Sequence, residues 1–254
     1  MAEIKVIYDE HMGSDLKVCR MAKESFKRTT AWQDGVIGHL SEKDQRLIKM
    51  LSRGMGSEEY ATLILRAAQT DDTDAIERLM WKLRNTTPHL APFGHCFVTF
   101  KFYAPVFVMR QIVKHEYIRI SELSMRYVRG MPEYYRPKSW RAVAADVKQG
   151  SGGDHGDQEE WFGNLESAWQ DDCEFYKGCI YDGLAPEQAR IFLRLCHMTE
   201  GFFSGSLDAI AGIVQKRLDP HAQEETREFA RQIDKIMTPL YPHAWSALME
   251  GIER

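Results

Sequence analysis

The chain has few of the features that assign a protein quickly. Its five cysteines, Cys19, Cys96, Cys173, Cys179 and Cys196, form no CxxC pair, and the odd number argues against a disulfide framework and for a reducing compartment. No G-x-G-x-x-G, G-x-x-x-x-G-K-[ST] or G-x-S-x-G occurs, which excludes the dinucleotide fingerprint, the P-loop and the hydrolase elbow. Positive charge is not in excess. The 33 Lys and Arg face 37 Asp and Glu for a net −4, so no global field draws the chain to a nucleic acid polymer. Long apolar runs are missing too. The most apolar stretch, Ala104 to Val113, is ten residues long and carries Arg110 and Gln111, too short and polar to span a membrane. The opening MAEIKVIYDEHMGSD has no basic segment followed by an apolar one, so no secretory signal is expected and the protein is placed in the cytoplasm.

What is present is globular composition, 44% hydrophobic and 28% charged, which excludes a disordered chain. A single domain over residues 1–254 would bury about 70–75% of its unfolded surface and need no staples. EIKVIY at 3–8 alternates and predicts an edge strand; MGSD at 12–15 then turns the chain into a helix from Leu16. Ser41 with Asp44 marks a capped helix start ahead of Leu47, Ile48 and Leu51. Residues 57–84 predict one or two helices broken near 70–74. CFVTFKF at 96–102 is a strand, and Pro105 opens a helix through PVFVMRQIVKHE. Residues 117–137 read as extended or loop, and GSGGDHG at 150–156 as a flexible loop. Helices follow at 158–181, from Pro186 and from about Ser206, with Asp219-Pro220 expected to cap the last long one. The fold class is α/β (α+β): a helix-rich single domain with a small antiparallel sheet.

Three polar groupings stand out. Gln111 and His115, four apart with Lys114 beside them, would share a helix face; the alternative is a helix end emerging into solvent. Glu122, Ser124 and Arg126 would share a strand face and offer a phosphorylated ligand a carboxylate, a hydroxyl and a guanidinium fork; the alternative is a solvated face. Arg190, among Ile191, Leu193 and Leu195, and Arg217 are expected near apolar surroundings, where each needs an anion, a carbonyl or an internal acid. His89, His95 and Cys96 lack the second pair a zinc site needs, so no metal is expected. Phe202, Phe203, Trp161 and Trp169 read as core.

The run APVFVMRQIVKHEYIRISELSMRY resembles the signature of the flavin-dependent thymidylate synthases, an Arg-His-Arg triplet, seven residues, then Ser. Here the triplet is Lys114-His115-Glu116 and the serine is Ser124. MGSD with MAKESF, His89-x-x-Pro92-x-x-His95, PEYYRP at 132–137 and RLDPHAQEETREFA at 217–230 are similar to further family elements and come in the family's order, with 55–85 standing out as a helical insertion.

The resemblance implies a homotetramer with active sites between subunits. It implies FAD as cofactor, dUMP as substrate, 5,10-methylenetetrahydrofolate as carbon donor and NADPH as reductant, with no protein nucleophile. Gln111, Ser124, Arg126 and Arg190 match positions that hold the nucleotide, and Glu122 the carboxylate near sugar and flavin. Arg217 matches the arginine that polarises the pyrimidine, and with Ser124 and His115 makes the expected catalytic set. The flavin positions fall on Ser25, His89, Lys114, His115, Glu116, Glu122, Ser206, Gly212 and His221. Several depart from the pattern: Ala91 replaces Thr/Ser, Gly94 replaces Glu, Glu116 replaces Arg, and Ser206, Asp208 and Gly212 replace Asn, Arg and Asn. A nucleotide clamp kept beside a rewired flavin wall leaves two other outcomes open. One is a sister enzyme that makes the hydroxymethyl product or acts on dCMP; the other is a non-catalytic nucleotide-binding homologue.

Overall fold

The computed structural model describes residues 2–145 and 150–252. Four antiparallel strands form one sheet in the order β1-β2-β4-β3: β1 Lys5–Met12, β2 Phe97–Pro105, β3 Ile118–Glu122 and β4 Met198–Ser206. β2 alternates as its sequence requires, with Val98, Phe100 and Phe102 buried on one face and Phe97 and Lys101 exposed on the other. Phe100 stacks on Phe203 of β4 at 4.9 Å between ring centroids. Helices α8 (Leu207–Arg217) and α9 (Glu224–Leu240) cover this face through Ile210, Val214, Phe229 and Ile233. α9 is also tied to β1, where the Gln232 amide accepts from Val6 N and donates to Ile4 O.

The first helices follow their sequence signals. α1 (Asp15–Glu24) starts at Ser14, whose hydroxyl accepts from Lys17 N. α2 (Glu42–Arg53) starts at Ser41, which accepts from Asp44 N and donates to the Asp44 carboxylate. Where one or two helices were expected at 57–84 there are two, α3 (Ser57–Gln69) and α4 (Thr73–Asn85), broken where the Asp72 side chain caps α4. Helix α6 (Gln158–Tyr181) occupies its expected range, α10 (Pro242–Leu248) ends the fold, and all five cysteines are free.

Five expectations need correction. The helix from Pro105, α5 (Val106–Ile112), stops before Lys114. β-branched Ile112 and Val113 propagate a helix poorly, and the pairing of Ile118 with Gly205 demands extended chain soon after. His115 therefore sits in a turn, its N–H on Ile112 O, with Tyr117 at φ 60°. β3 ends at Glu122, so Ser124 and Arg126 do not continue its face. Ser124 opens a turn closed by Tyr127 N, because Met125 is drawn into a second apolar cluster with Tyr176, Ala189 and Leu193. The helix at Pro186, α7 (Pro186–Ala189), lasts four residues; Arg190 follows it exposed, as does Ile191, since the chain must turn into β4. The last long helix starts at Glu224 rather than at Pro220: the Asp219 carboxylate accepts from His221 N in a local turn and caps no helix. Finally, Phe203 and Trp169 are buried, whereas Phe202 and Trp161 are each more than 40% exposed.

β4 itself was not expected over 198–206. Its two glycines lower strand propensity, but Gly201 is there for space: a Cβ would come 2.1 Å from Ser121 O on β3.

Candidate active site

The ends of α5 and α8 meet, although His115 and Arg217 lie 102 residues apart in sequence. Arg217 Nε donates to His115 Nε2 at 3.0 Å, and one Arg217 Nη donates to the Gln111 carbonyl at 2.9 Å. The Gln111 amide donates in turn to Gln223 Oε1 at 2.7 Å, just ahead of α9. Because its Nε2 accepts, His115 carries its proton on Nδ1. Burial, followed by the Arg217 and Lys216 charges, pushes the His115 pKa down to about 4, and burial lowers that of Arg217. The result is one fixed, part-buried cation against a neutral imidazole. Among the described residues, the other Arg217 Nη and the second hydrogen of the bonded one meet no acceptor and remain to donate.

A second grouping lies past the end of β3. Arg126 reaches Glu187 through Nε at 3.3 Å and Nη2 at 3.2 Å, and its backbone N–H meets Ser124 Oγ at 3.4 Å. Arg190 Nε donates to the Glu187 carbonyl at 3.3 Å. Arg126 thus bonds the exposed Glu187 carboxylate, Arg190 the backbone carbonyl of the same residue, and Ser124 Oγ the Arg126 N–H; an incoming phosphate can take the carboxylate's place on Arg126. Glu122 ends β3 in solvent, and its charge acts on His197, whose pKa burial holds below the usual imidazole value.

The expected flavin residues lie on several different elements. Ser25 closes α1 in solvent; His89, exposed, donates its backbone N–H to Leu51 O. Lys114 and Glu116 are exposed and, among the described residues, have no side-chain partner; the exposed His221 lies in the turn before α9. Among the described residues, no hydrogen bond joins these five to His115 or Arg217. Ser206 is buried at the start of α8. Two residues on, Asp208 Oδ1 is buried with no hydrogen-bond partner among the described residues, 3.8 Å from where a Cβ on Gly94 would stand; a Cβ on Gly212 would meet open space. An orphaned acceptor beside Gly94 suits a ring that presents an N–H donor, as a flavin's imide edge does. At this wall the residues fit the cofactor.

Sequence reasoning missed Gln223 and Glu187 as members of these groupings. Gln223 stands inside the element at 217–230 and Glu187 directly after Pro186, but their partners are distant in sequence and no spacing rule reaches them.

A four-stranded antiparallel sheet, helices on one face and a guanidinium held between two helix ends describe an α+β protein with a built anion or carbonyl site. The fold matches two solved structures of a UMP/dUMP methylase, PolB from Streptomyces cacaoi. With 5-Br dUMP bound, that structure gives a TM-score of 0.72 at 22% identity over 98% of this chain and 95% of that one. With 5-Br UMP bound, it gives 0.71 at 21% identity over the same shares. The family model described as thymidylate synthase complementing protein matches residues 10–243, and the chain belongs to that family. The flavin-dependent thymidylate synthase of Thermus thermophilus is 36% identical over 166 residues, which are 65% of this chain but only 60% of that protein's length. The enzyme of the same name from Treponema denticola is 32% identical over 198 residues, 73% of this chain and 74% of that one.

Proposed function

We propose that the protein transfers a one-carbon unit from 5,10-methylenetetrahydrofolate to C5 of dUMP, giving dTMP, in a cytoplasmic homotetramer that holds FAD and uses NADPH as reductant. The Arg217–His115–Gln111 arrangement carries this reading. It fixes a cation whose remaining donors match the carbonyl oxygens of uracil, and such a cation stabilises negative charge on the ring as C5 becomes nucleophilic. His115 is neutral near pH 7 and accepts from Arg217, so its part is to orient the guanidinium rather than to deliver a proton. Ser124, Arg126 and Arg190 take the phosphate, and Gln111 and Glu122 complete the nucleotide's surroundings. Ser206, Gly212, Asp208 and His115, with Ser25, His89, Lys114, Glu116 and His221, would hold FAD, which supplies the reducing equivalents when bound. Their spread over the end of α1, the segment before β2, the turn after α5 and the turn before α9, mostly in solvent, supports a site shared between subunits.

A second reading is supported by Glu116 and Asp208, acids where the family carries arginines. An altered flavin wall favours a hydroxymethyl product or dCMP as substrate. Calorimetric titration of the wild type and Arg217→Ala with dUMP and dCMP tests the reading. Tight dUMP binding that the variant loses supports it. No dUMP binding, or binding indifferent to Arg217, would defeat it.

A further inference from the structure

A cleft of about 760 Å³ lies between the end of α1, the outer face of α2 and the start of α3, away from the residues assigned above to dUMP. Its size falls in the range of about 300–1,000 Å³ typical of small-molecule sites. Ala22, Phe26, Leu47 and Met50 give it apolar surface, with Phe26 71% exposed. Five cations line it: Lys23, Lys27, Arg28, Lys43 and Arg46. Lys23 is paired with Asp44 and Arg46 with Glu42, but among the described residues Lys27, Arg28 and Lys43 have no acidic partner. Glu58 is the one acid among the lining residues.

Two features of the backbone support this charge. Lys27 takes φ 52° at the end of α1, where glycine is the usual residue, and Arg28 N closes the turn onto Lys23 O. A lysine in the left-handed region is uncommon, and here it places two cations side by side at the cleft. Across from them, Gly56 begins α3 without a side-chain cap, and Ser57 and Glu58 line the cleft with their first-turn N–H groups uncapped. In a chain of net −4, this is a local concentration of positive charge over an apolar floor.

We propose that the cleft binds the phosphorylated end of a dinucleotide. The spread of unpaired cations over α2 and the end of α1 suits more than one phosphate, and Phe26 offers a face to a base. That the ligand is a dinucleotide rests on the flavoenzyme reading above; the charge and shape of the cleft do not. The source is either the reductant, NADP(H), or the cofactor, FAD.

The test uses the purified protein with the flavin it retains. NADP⁺ affinity is measured by calorimetry and FAD retention by dialysis, with inorganic phosphate as the control ligand. The variants are Lys27→Ala/Arg28→Ala/Lys43→Ala and the charge-conserving Lys27→Arg/Arg28→Lys/Lys43→Arg. The alanine variant is expected to weaken one dinucleotide by about tenfold or more, with the wild-type affinity falling as salt rises. The charge-conserving variant should bind within about threefold of wild type, which separates lost charge from lost folding. Whichever dinucleotide suffers identifies the source. The proposal is overturned if the wild type binds neither, if the alanine variant binds both as wild type, if both variants fail alike, or if phosphate alone binds as tightly. A failure of the dUMP reading would show separately, in the wild-type dUMP titration.

Discussion

The His115–Arg217 contact makes a sharp prediction about pH. Arg217 donates to Nε2, so protonating His115 breaks a hydrogen bond and sets two cations together. The pKa falls from 6.5 to about 4 in the folded protein, chiefly through burial. In the unfolded chain it returns to about 6.5. Between these values the unfolded state binds the extra proton, so this contribution to stability is full above pH 6.5 and is lost as pH falls towards 4. In a fully buried site the shift would be worth about 3 kcal/mol. His115 keeps partial contact with water, which reduces the expected loss to about 1–2 kcal/mol. Arg217→Ala removes the donor and the nearest charge but leaves burial in place, so the His115 pKa should rise only part of the way to 6.5. The assay is an NMR titration of the imidazole Cε1 protons, with His115→Gln assigning the resonance. A wild-type midpoint at or above 6.5, or one that Arg217→Ala leaves unmoved, would refute the assigned contact.

Three further outcomes follow from the same geometry. Arg126→Ala should weaken dUMP by about tenfold, because a charge-assisted phosphate contact is worth about 1.5–3 kcal/mol; calorimetry checks it, and Glu187→Gln, which frees Arg126, should tighten binding. Glu116→Arg should tighten FAD, by a margin that shrinks as salt rises, since among the described residues Glu116 has no partner of its own to lose; FAD titration at two ionic strengths reads this. Gly201→Ala should destabilise by about 1–3 kcal/mol, measured by urea unfolding, because its Cβ would meet Ser121 O and push β3 from β4.

What the sequence disclosed was local, and what it hid was not. The capped start of α2, the alternation of β2 and the break between α3 and α4 each depend on neighbours within a few residues, and all match the structure. β4 was hidden because Gly201 and Gly205 answer to a neighbouring strand rather than to propensity. Ser124 and Arg126 looked like alternating strand residues, but burial of Met125 against α6 and α7 decides their conformation. The residues of the site were named from the motifs. Their contacts, Arg217 on His115 and Arg126 on Glu187, join segments distant in sequence and became visible only in the fold.

The measurement that bears most directly on the central claim is mass spectrometry of the nucleotide product. The purified protein is incubated with dUMP, methylenetetrahydrofolate and NADPH, and in parallel with dCMP. The account predicts dUMP made heavier by one CH₂, in a reaction that Arg217→Ala abolishes. Unchanged dUMP, a hydroxymethyl product, or turnover of dCMP alone would contradict it.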